Sequence, residues 1–227
     1  MCINFVTVGK QTLQEHFDVI VNSPEEWPEE AYQDYLAPVI VATRAGRRAA
    51  VAASYGLVPK RHIGADIKHY STMNARAETI AERPSYALPW RRGQLCLVPM
   101  HGYFEPNWET GSAVRWRIAQ ADDAPFAVAG LYRSWQEEDG SRAFSFTQLT
   151  VNADEHPLMK RFHRPEDEKR SLVIIPRDRY DDWLNCREPE LARTYLQSHP
   201  VDLMMAAPAP KLGKPKQQAT DLNGSLF

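Results

Sequence analysis

The chain has 227 residues, of which 43% are hydrophobic and 10% aromatic, and its 27 Lys and Arg against 29 Asp and Glu give a formal net charge of −2. This length and composition suit a single folded domain and exclude a disordered chain. The near-zero net charge argues against a simple basic nucleic-acid-binding protein, and no apolar run approaches the roughly 18 residues that a membrane span needs.

The first residues and the cysteines indicate the cellular compartment. The N-terminal sequence lacks the basic-then-apolar pattern of a secretory signal, so we expect a cytoplasmic protein that does not bind membranes. The three cysteines, Cys2, Cys96 and Cys186, are odd in number and form no C-x-x-C pair. This argues against a disulfide framework and a cysteine-built zinc site, and the spacing of the histidines predicts no metal site either. We expect no cofactor.

The hydrophobic pattern predicts strands with a few short helices. A first helix is predicted over 10–21, and a hairpin of two strands, 39–44 and 48–54, follows around Ala45-Gly46-Arg47. Further strands are predicted over 95–98, 103–108, 114–118, 126–132, 143–151 and 172–175, and further helices over 155–162, 177–184 and 188–197. No repeat or internal linker interrupts this order. The pattern therefore indicates one α+β domain on a mixed or antiparallel sheet that curls toward a barrel, with short flanking helices.

The end of the chain has a different composition. Residues 206–227 contain three prolines, three lysines and few apolar residues. Such a composition is typical of a flexible tail, because it cannot bury enough apolar surface to offset the entropy of ordering. We therefore expect the folded domain over 1–205 and a tail over 206–227.

Charge is distributed unevenly along the sequence. Residues 18–34 hold six acidic residues and no basic one, whereas residues 35–117 hold twelve basic and five acidic residues, a local balance of +7. One surface can therefore attract phosphates although the whole chain is slightly negative. A noncatalytic module that binds single-stranded DNA is one function consistent with this pattern.

Cys2 is a candidate nucleophile because of its position. If Met1 is removed, the residue offers an α-amine and a thiol on adjacent carbons. An α-amine has a lower reference pKa than a lysine amine, so more of it is neutral and nucleophilic near neutral pH. The amine can form a Schiff base with an aldehyde, and the thiol can then close a five-membered thiazolidine on the same carbon. The alternative is that Cys2 is simply a small residue that begins a strand.

Two further segments carry residues suited to binding or catalysis. In 71–79, Asn74 can donate and accept hydrogen bonds, and Arg76 can clamp a phosphate with its planar guanidinium. An Asn near an Arg also occurs in ordinary turns that carry a surface ion pair. Glu105 is framed by aromatic and proline residues, which disfavour the charged carboxylate and suit general acid–base chemistry. It is otherwise a solvated glutamate on an edge strand.

A histidine near the end of a predicted helix is a candidate proton shuttle. In 150–165, a strand end and a short helix lead to His163, just before a loop bounded by Pro165. Histidine titrates near neutral pH and is the natural group for moving protons. His156 competes for this role, and either histidine can instead be structural.

Taken in order, these segments resemble a known family. Cys2 directly follows Met1, and after it come Y-G-L-V-P at 55–59, N-A-R-A-E-T at 74–79, G-Y-F-E at 102–105 and the segment from Thr150 to His163. Together they resemble the SOS response-associated peptidase (SRAP) family of abasic site processing proteins, over residues 2 to about 176. The resemblance implies a single SRAP-like domain.

The resemblance implies a covalent mechanism. Members of the family crosslink to abasic sites in single-stranded DNA, where the N-terminal cysteine forms a stable thiazolidine with the ring-opened sugar and protects the site during the response to DNA damage. Cys2 would be this nucleophile. Asn74 would position the opened sugar, Glu105 would assist ring opening, and His163 would shuttle protons. The partner would be single-stranded DNA with abasic sites, bound by a cytoplasmic monomer that joins the nucleoid when on DNA.

The resemblance also implies contacts with the DNA backbone, which carry no sequence information. Lys60-Arg61-His62 stand where the family often has tryptophans, so phosphate attraction would replace base stacking and make binding more sensitive to salt. The arginine that usually follows the histidine closely is displaced, and either Lys169 or Arg170 would fill its role. Ile3-Asn4-Phe5 also lack an arginine that usually follows the cysteine. The expected DNA-binding residues are Arg76, Thr150, Lys60, Arg61, Lys169 and Arg170.

Other activities are consistent with the same residues. Cys2 with His163 as its base would make a thiol peptidase. The family name records a proposed autopeptidase, which in this chain would remove only Met1. Weak lyase chemistry at the abasic site would accompany the Schiff base while it persists.

Overall fold

The computed structural model describes residues 3–21, 23–64, 66–68 and 70–211. Thirteen strands and four α-helices occur in these ranges. The strands are β1 (Phe5–Thr7), β2 (Ile20–Val21), β3 (Glu30–Ala31), β4 (Leu36–Ala42), β5 (Arg48–Tyr55), β6 (Asn74–Arg76), β7 (Leu95–Asn107), β8 (Val114–Gln120), β9 (Phe126–Gln136), β10 (Arg142–Asn152), β11 (Arg170–Leu172), β12 (Ile174–Ile175) and β13 (Met204–Pro208). The helices are α1 (Lys10–Phe17), α2 (Pro84–Arg91), α3 (Tyr180–Asn185) and α4 (Pro189–Arg193).

Five of the strands close into a barrel. β9 pairs antiparallel with both β10 and β7, β7 pairs antiparallel with β4, and β4 pairs antiparallel with β5. The ring is completed by a short parallel contact, in which Ser54 and Tyr55 of β5 lie opposite Ser145 and Phe146 of β10. The expected α+β domain, with a mixed sheet that curls into a barrel, is therefore confirmed.

Alternation along the strands separates two buried apolar clusters. On β7, Leu97 packs with side chains of α1 and α3, such as Phe17 and Trp183, whereas Val98 packs with residues of the other barrel strands. Successive side chains of a strand point to opposite faces, so one face contacts the helices and the other fills the barrel. Glycine is required at one place in this wall. A Cβ added to Gly130 would lie 2.7 Å from the carbonyl oxygen of Thr147.

Several predicted boundaries are wrong for local reasons. The two strands predicted over 95–98 and 103–108 form one continuous strand, β7. The helix predicted over 10–21 ends at Phe17, because Asp18 adopts a left-handed conformation (φ 52°) and the chain continues into β2. The helix predicted over 155–162 is reduced to a 3₁₀ turn at Met159–Arg161.

The sequence pattern predicts no helix over 84–91, where the structure has α2. Pro84 occupies the first turn, where its missing N–H costs nothing, but Pro89 lies inside the helix and normally indicates a break. Burial of Ala87 and Trp90 against the barrel supports the helix at this position. None of the described helices is long and apolar enough to cross a membrane.

A strand crosses the predicted start of the tail. β13 spans Met204–Pro208 and pairs antiparallel with β8, so Ala206 lies opposite Ile118 and Pro208 opposite Trp116. The boundary expected between residues 205 and 206 therefore falls inside a strand. The composition of residues 206–227 gives no signal for β13, because this strand is held mainly by its backbone pairing with β8. The remainder of the predicted tail, 212–227, lies outside the described residues.

Candidate active site

The first described residue, Ile3, lies at the same end of the barrel as Glu105. The backbone N–H of Phe104 donates to the carbonyl of Asn4 at 3.2 Å, so the chain runs antiparallel to β7 and toward Glu105. Ile3 and Glu105 line one cavity of about 240 Å³. Cys2, the predicted nucleophile, lies outside the described residues.

Glu105 and His163 are brought together by the loop that follows β10. The backbone N–H of His163 donates to the carbonyl of Pro106 at 2.9 Å, and a β-bridge joins Asn107 to Phe162. These contacts fix the loop along the end of β7. As a result, Nε2 of His163 lies 3.0 Å from Oε2 of Glu105, with side chains only 5% and 3% exposed.

The backbone of His163 is strained. Its φ of 65° lies in the left-handed region, which residues other than glycine adopt uncommonly. In addition, Nδ1 of the ring is buried and has no hydrogen-bond partner in the described part of the chain. Strain and an unsatisfied buried polar atom both cost stability, and such features concentrate at functional sites.

The competing histidine has a structural role. Nδ1 of His156 accepts hydrogen bonds from the backbone N–H groups of Leu158 and Met159, at 3.2 and 3.1 Å. Because Nδ1 accepts, Nε2 carries the proton and donates to the carbonyl of His199 at 2.8 Å. Both ring nitrogens are thus used in holding the loop, which leaves His163 as the candidate proton shuttle.

The short strand β6 presents Asn74 and Arg76 on one face. It pairs in parallel with β10, where Asn74 lies in register with Gln148. Ala75 between them is buried on the opposite face. The side chain of Gln148 accepts a hydrogen bond from the hydroxyl of Tyr55 at 2.9 Å. β5 and β6 therefore pair one after the other along the same edge of β10, both in parallel.

A buried arginine ties β10 and β11 to the loop after β6. Arg170, whose side chain is 3% exposed, donates to both carboxylate oxygens of Glu78, at 3.0 and 2.8 Å, and to Glu168 at 2.8 Å. It also donates to the carbonyl of Thr150 at 2.7 Å. Partial burial would raise the pKa of Glu78, but hydrogen bonds from Arg170 and the backbone, with the charge of Arg170, hold it below its ordinary value.

Two of the expected DNA-binding residues therefore have another role. Thr150 is 1% exposed, and its hydroxyl donates to the carbonyl of Ala75 at 3.3 Å. Arg170 is buried among the two carboxylates described above. Both side chains are buried and hydrogen-bonded within the protein, so a direct contact of Thr150 or Arg170 with a DNA backbone stays a prediction. Both support the strand that carries Asn74 and Arg76.

Two other expected cations, Arg76 of β6 and Lys169 before β11, are accessible to different degrees. The side chain of Arg76 is 50% exposed and forms an ion pair with Glu168 at 2.7 Å. Lys169 is half-buried, and its ammonium group donates to the backbone carbonyl of Arg164. Lys169 and Arg170 are the two alternatives for the displaced arginine, and of these Lys169 is the one that is partly exposed.

The segment Lys60-Arg61-His62 packs on the β9–β10 hairpin. Lys60 is exposed, and Arg61 forms an ion pair with Glu137 at 2.9 Å. The ring of His62 stacks on Trp135, with 4.1 Å between centroids and 9° between planes. The charge of Arg61 is therefore partly neutralised within the protein.

Sequence reasoning missed the partners of these cations. Glu78 and Glu168 lie 92 and two positions from Arg170, and their spacing carries no motif for a buried ion-pair network. The strain at His163 also had no signal in the sequence. In the described ranges, no group of three or more His, Cys, Asp or Glu side chains is placed to hold a metal ion.

Comparisons with known proteins add to this geometry. A family model described as SOS response associated peptidase (SRAP) matches residues 1–212. The chain is 29% identical over 157 residues to the abasic site processing protein YoqW, and 30% identical over 157 residues to the abasic site processing protein YoaM, both of Bacillus subtilis (strain 168). Each match covers 67% of this chain and 66% of the relative.

Two solved structures share the fold. An X-ray structure of a protein from Bordetella bronchiseptica has a TM-score of 0.82 and 29% sequence identity, and the match covers 92% of this chain and 99% of that one. A protein from Bacteroides thetaiotaomicron has a TM-score of 0.71 over 92% of this chain and 93% of its own. At 19% identity the second likeness shows the fold alone.

Proposed function

The chain belongs to the SOS response-associated peptidase (SRAP) family, and from this premise we propose that it processes abasic sites in single-stranded DNA by forming a covalent bond through Cys2. The curated relatives named as abasic site processing proteins support the substrate class. The chain spans 66% of the length of those relatives. The proposed place of action is the cytoplasm, on damaged DNA, as a monomer.

One observation carries this proposal. Glu105 lines the cavity that Ile3 also lines, Ile3 is the residue bonded to Cys2, and the buried carboxylate of Glu105 lies 3.0 Å from Nε2 of His163. A carboxylate and an imidazole 3.0 Å apart can pass protons to and from the oxygen and nitrogen atoms on one reacting carbon. A strained loop supports His163 at this point, which is the kind of cost that a functional site retains.

The proposed reaction balances without an oxidant or a metal. After Met1 is removed, the α-amine of Cys2 adds to the aldehyde carbon of the opened sugar. The adduct loses water and becomes a Schiff base. The thiol then adds to the same carbon, its proton passes to the nitrogen, and a thiazolidine ring closes. The net change is two new bonds to carbon, C–N and C–S, and release of the aldehyde oxygen as water.

We assign the proton transfers to the paired side chains. Glu105 accepts and donates the protons that open the sugar ring to its aldehyde form. His163 donates the proton with which the hydroxyl group leaves as water. It accepts a proton from water when the crosslink reverses. Asn74 positions the opened sugar by hydrogen bonds to its hydroxyl groups. If these steps stall at the Schiff base, slow strand cleavage of the lyase type follows as a side reaction.

Phosphate contacts position the strand in this proposal. Arg76 is half exposed on the face of β6 that also carries Asn74, so it is assigned to a phosphate beside the abasic site. Lys169 is partly exposed in the segment before β11, and Lys60 and Arg61 lie earlier in the chain on a separate turn. Contacts of this kind hold the backbone without reading bases.

The test is a crosslinking assay. Protein lacking Met1 is incubated with a single-stranded oligonucleotide that contains one abasic site, and the products are run on a denaturing gel. We expect a band of higher mass that Cys2→Ala abolishes. Cys186→Ala is the matched control, because Cys186 is a buried cysteine elsewhere in the fold and its loss should leave the band unchanged.

Other outcomes of this assay identify the alternatives. A shift on a native gel with nothing after denaturation indicates a noncatalytic binding module. Cleavage of an unrelated peptide that Cys2→Ser abolishes indicates a thiol peptidase. An undiminished band with Cys2→Ala contradicts the proposed nucleophile. Equal crosslinking to an abasic site within a duplex contradicts the preference for single strands.

A further inference from the structure

Glu168 bridges two arginines of unequal burial. Its Oε1 accepts a hydrogen bond from the buried Arg170 at 2.8 Å, and its Oε2 lies 2.7 Å from the guanidinium of Arg76. Asn152 also donates to Oε1 of Glu168, at 3.1 Å. The side chain of Glu168 is 33% exposed, so the bridge lies at the protein surface.

The two arginines depend on Glu168 to different degrees. Arg170 has a second carboxylate partner, because both oxygens of Glu78 accept its hydrogen bonds, at 3.0 and 2.8 Å. Arg76 forms one ion pair within the described part of the chain, and its partner is Glu168. Loss of the Glu168 charge would therefore leave Arg170 neutralised and Arg76 without a counter-charge.

Glu168 keeps its negative charge under ordinary conditions. Burial alone would raise the pKa of its carboxyl group. Hydrogen bonds from Arg170 and Asn152, together with the charges of Arg170 and Arg76, more than offset this effect and hold the pKa below its ordinary value. The carboxylate of Glu168 is thus ionised near neutral pH.

A phosphate approaching Arg76 meets this carboxylate. The four charges of Arg76, Arg170, Glu78 and Glu168 cancel, so the cluster offers no net attraction to a DNA backbone. A phosphate that binds Arg76 must either displace Oε2 of Glu168 or accept a like charge beside it, and both reduce the gain in free energy. The same site without the Glu168 charge would attract any single strand.

We propose that Glu168 acts as an internal counter-ion for Arg76 and thereby weakens the hold on undamaged single strands. Discrimination then depends on the covalent step at the abasic site, since phosphate attraction at Arg76 is reduced for every strand alike. This inference rests on the proposed function, because it takes Arg76 as a phosphate-binding residue. It assigns to Glu168 a role in limiting nonspecific binding, and this role needs no contact with the abasic sugar.

The test compares Glu168→Gln with Glu166→Gln on undamaged single-stranded oligonucleotide. Both substitutions raise the net charge by one, and Glu166 lies in the same exposed loop. We expect Glu168→Gln to tighten binding by up to about fivefold, the range of a surface ion pair. The slope of log affinity against log salt should steepen by up to about 0.7, the value for one phosphate contact on a single strand. Glu166→Gln should change both values by less.

The double variant Arg76→Ala/Glu168→Gln separates the bridge from general electrostatics. We expect no tightening relative to Arg76→Ala alone, because the group that Glu168 masks is gone. Tightening that persists in the double variant, or equal effects of Glu166→Gln and Glu168→Gln, overturns the inference. Thermal melting of each variant checks that the Gln side chain keeps the hydrogen bonds to Arg170 and Asn152.

A competition assay connects the affinity change to discrimination. Crosslinking to an abasic strand is measured with a large excess of undamaged strand, and Glu168→Gln should lose more of its rate to the competitor than the unaltered protein does. If the unaltered protein forms no crosslink, the proposed function has failed. If Arg76→Ala binds undamaged strands as tightly as the unaltered protein, the role of Arg76 has failed. If those two results hold and Glu168→Gln behaves as the unaltered protein, the inference alone has failed.

Discussion

At the scale of single residues, the type of a residue near the candidate site says less about its role than the atoms that its side chain contacts. Two histidines in one loop look equivalent in the sequence, yet His156 uses both ring nitrogens to hold backbone groups, whereas Nε2 of His163 lies 3.0 Å from Glu105. Two cations expected on the DNA side also differ, since Arg170 is buried and Arg76 is half exposed. Roles are therefore assigned from the contacts and burial of each side chain, and not from residue type alone.

Glu105→Gln tests the proton-transfer role at this scale. The amide keeps the size and most hydrogen bonds of the carboxylate but cannot accept a proton, so we expect crosslinking to slow by about 10²–10⁴-fold. Affinity for an undamaged strand should stay nearly unchanged, because no phosphate contact is assigned to Glu105. Single-turnover crosslinking and fluorescence anisotropy give the two values. Equal losses in rate and affinity would show that Glu105 is structural.

At the scale of elements, the sequence supported most strands but not their register or their ends. Alternation predicted the β9 and β10 regions, because one face of each strand is buried. β6 and the parallel contact of β5 with β10 have no such signal, since each covers three residues or fewer. The loop that carries His163 depends on distant partners, Pro106 and Asn107 of β7, and local sequence does not encode such contacts.

Gly130→Ala tests how closely the barrel strands approach. A Cβ at this position would lie 2.7 Å from the Thr147 carbonyl and 2.8 Å from the sulfur of Cys96, both in neighbouring strands. We expect a loss of about 1–3 kcal/mol in the free energy of unfolding, as for other overpacked cores. Gly9→Ala is the control, because nothing lies within 4 Å of its added Cβ. Chemical denaturation that shows equal, small effects for both variants would contradict the close approach.

At the scale of the whole molecule, the barrel and its outer strands support the candidate site as one unit. β8 pairs along β7 from Tyr103 to Asn107, the stretch that contains Glu105. The opposite edge of β8 is covered by β13, which lies near the end of the described chain. Residues far from the site in sequence thus stabilise the strand that carries Glu105. A chain that ended at residue 205, the expected boundary, would lack part of this support.

Two shortened chains test where the folded unit ends. A chain that ends at Met205 loses the pairing of residues 206–208 with β8 and the hydrogen bond from the Ala209 N–H to the Arg115 carbonyl at 2.9 Å, whereas a chain that ends at Lys211 keeps both. Each backbone hydrogen bond contributes about 0.5–1.5 kcal/mol, and the freed edge of β8 would also invite association. We therefore expect the shorter chain to melt several degrees lower, at about 2–4 °C per kcal/mol for a chain of this size, and to crosslink more slowly. Thermal unfolding followed by circular dichroism measures the difference. Identical melting temperatures for the two chains would instead place the end of the folded unit before residue 206, as composition alone suggested.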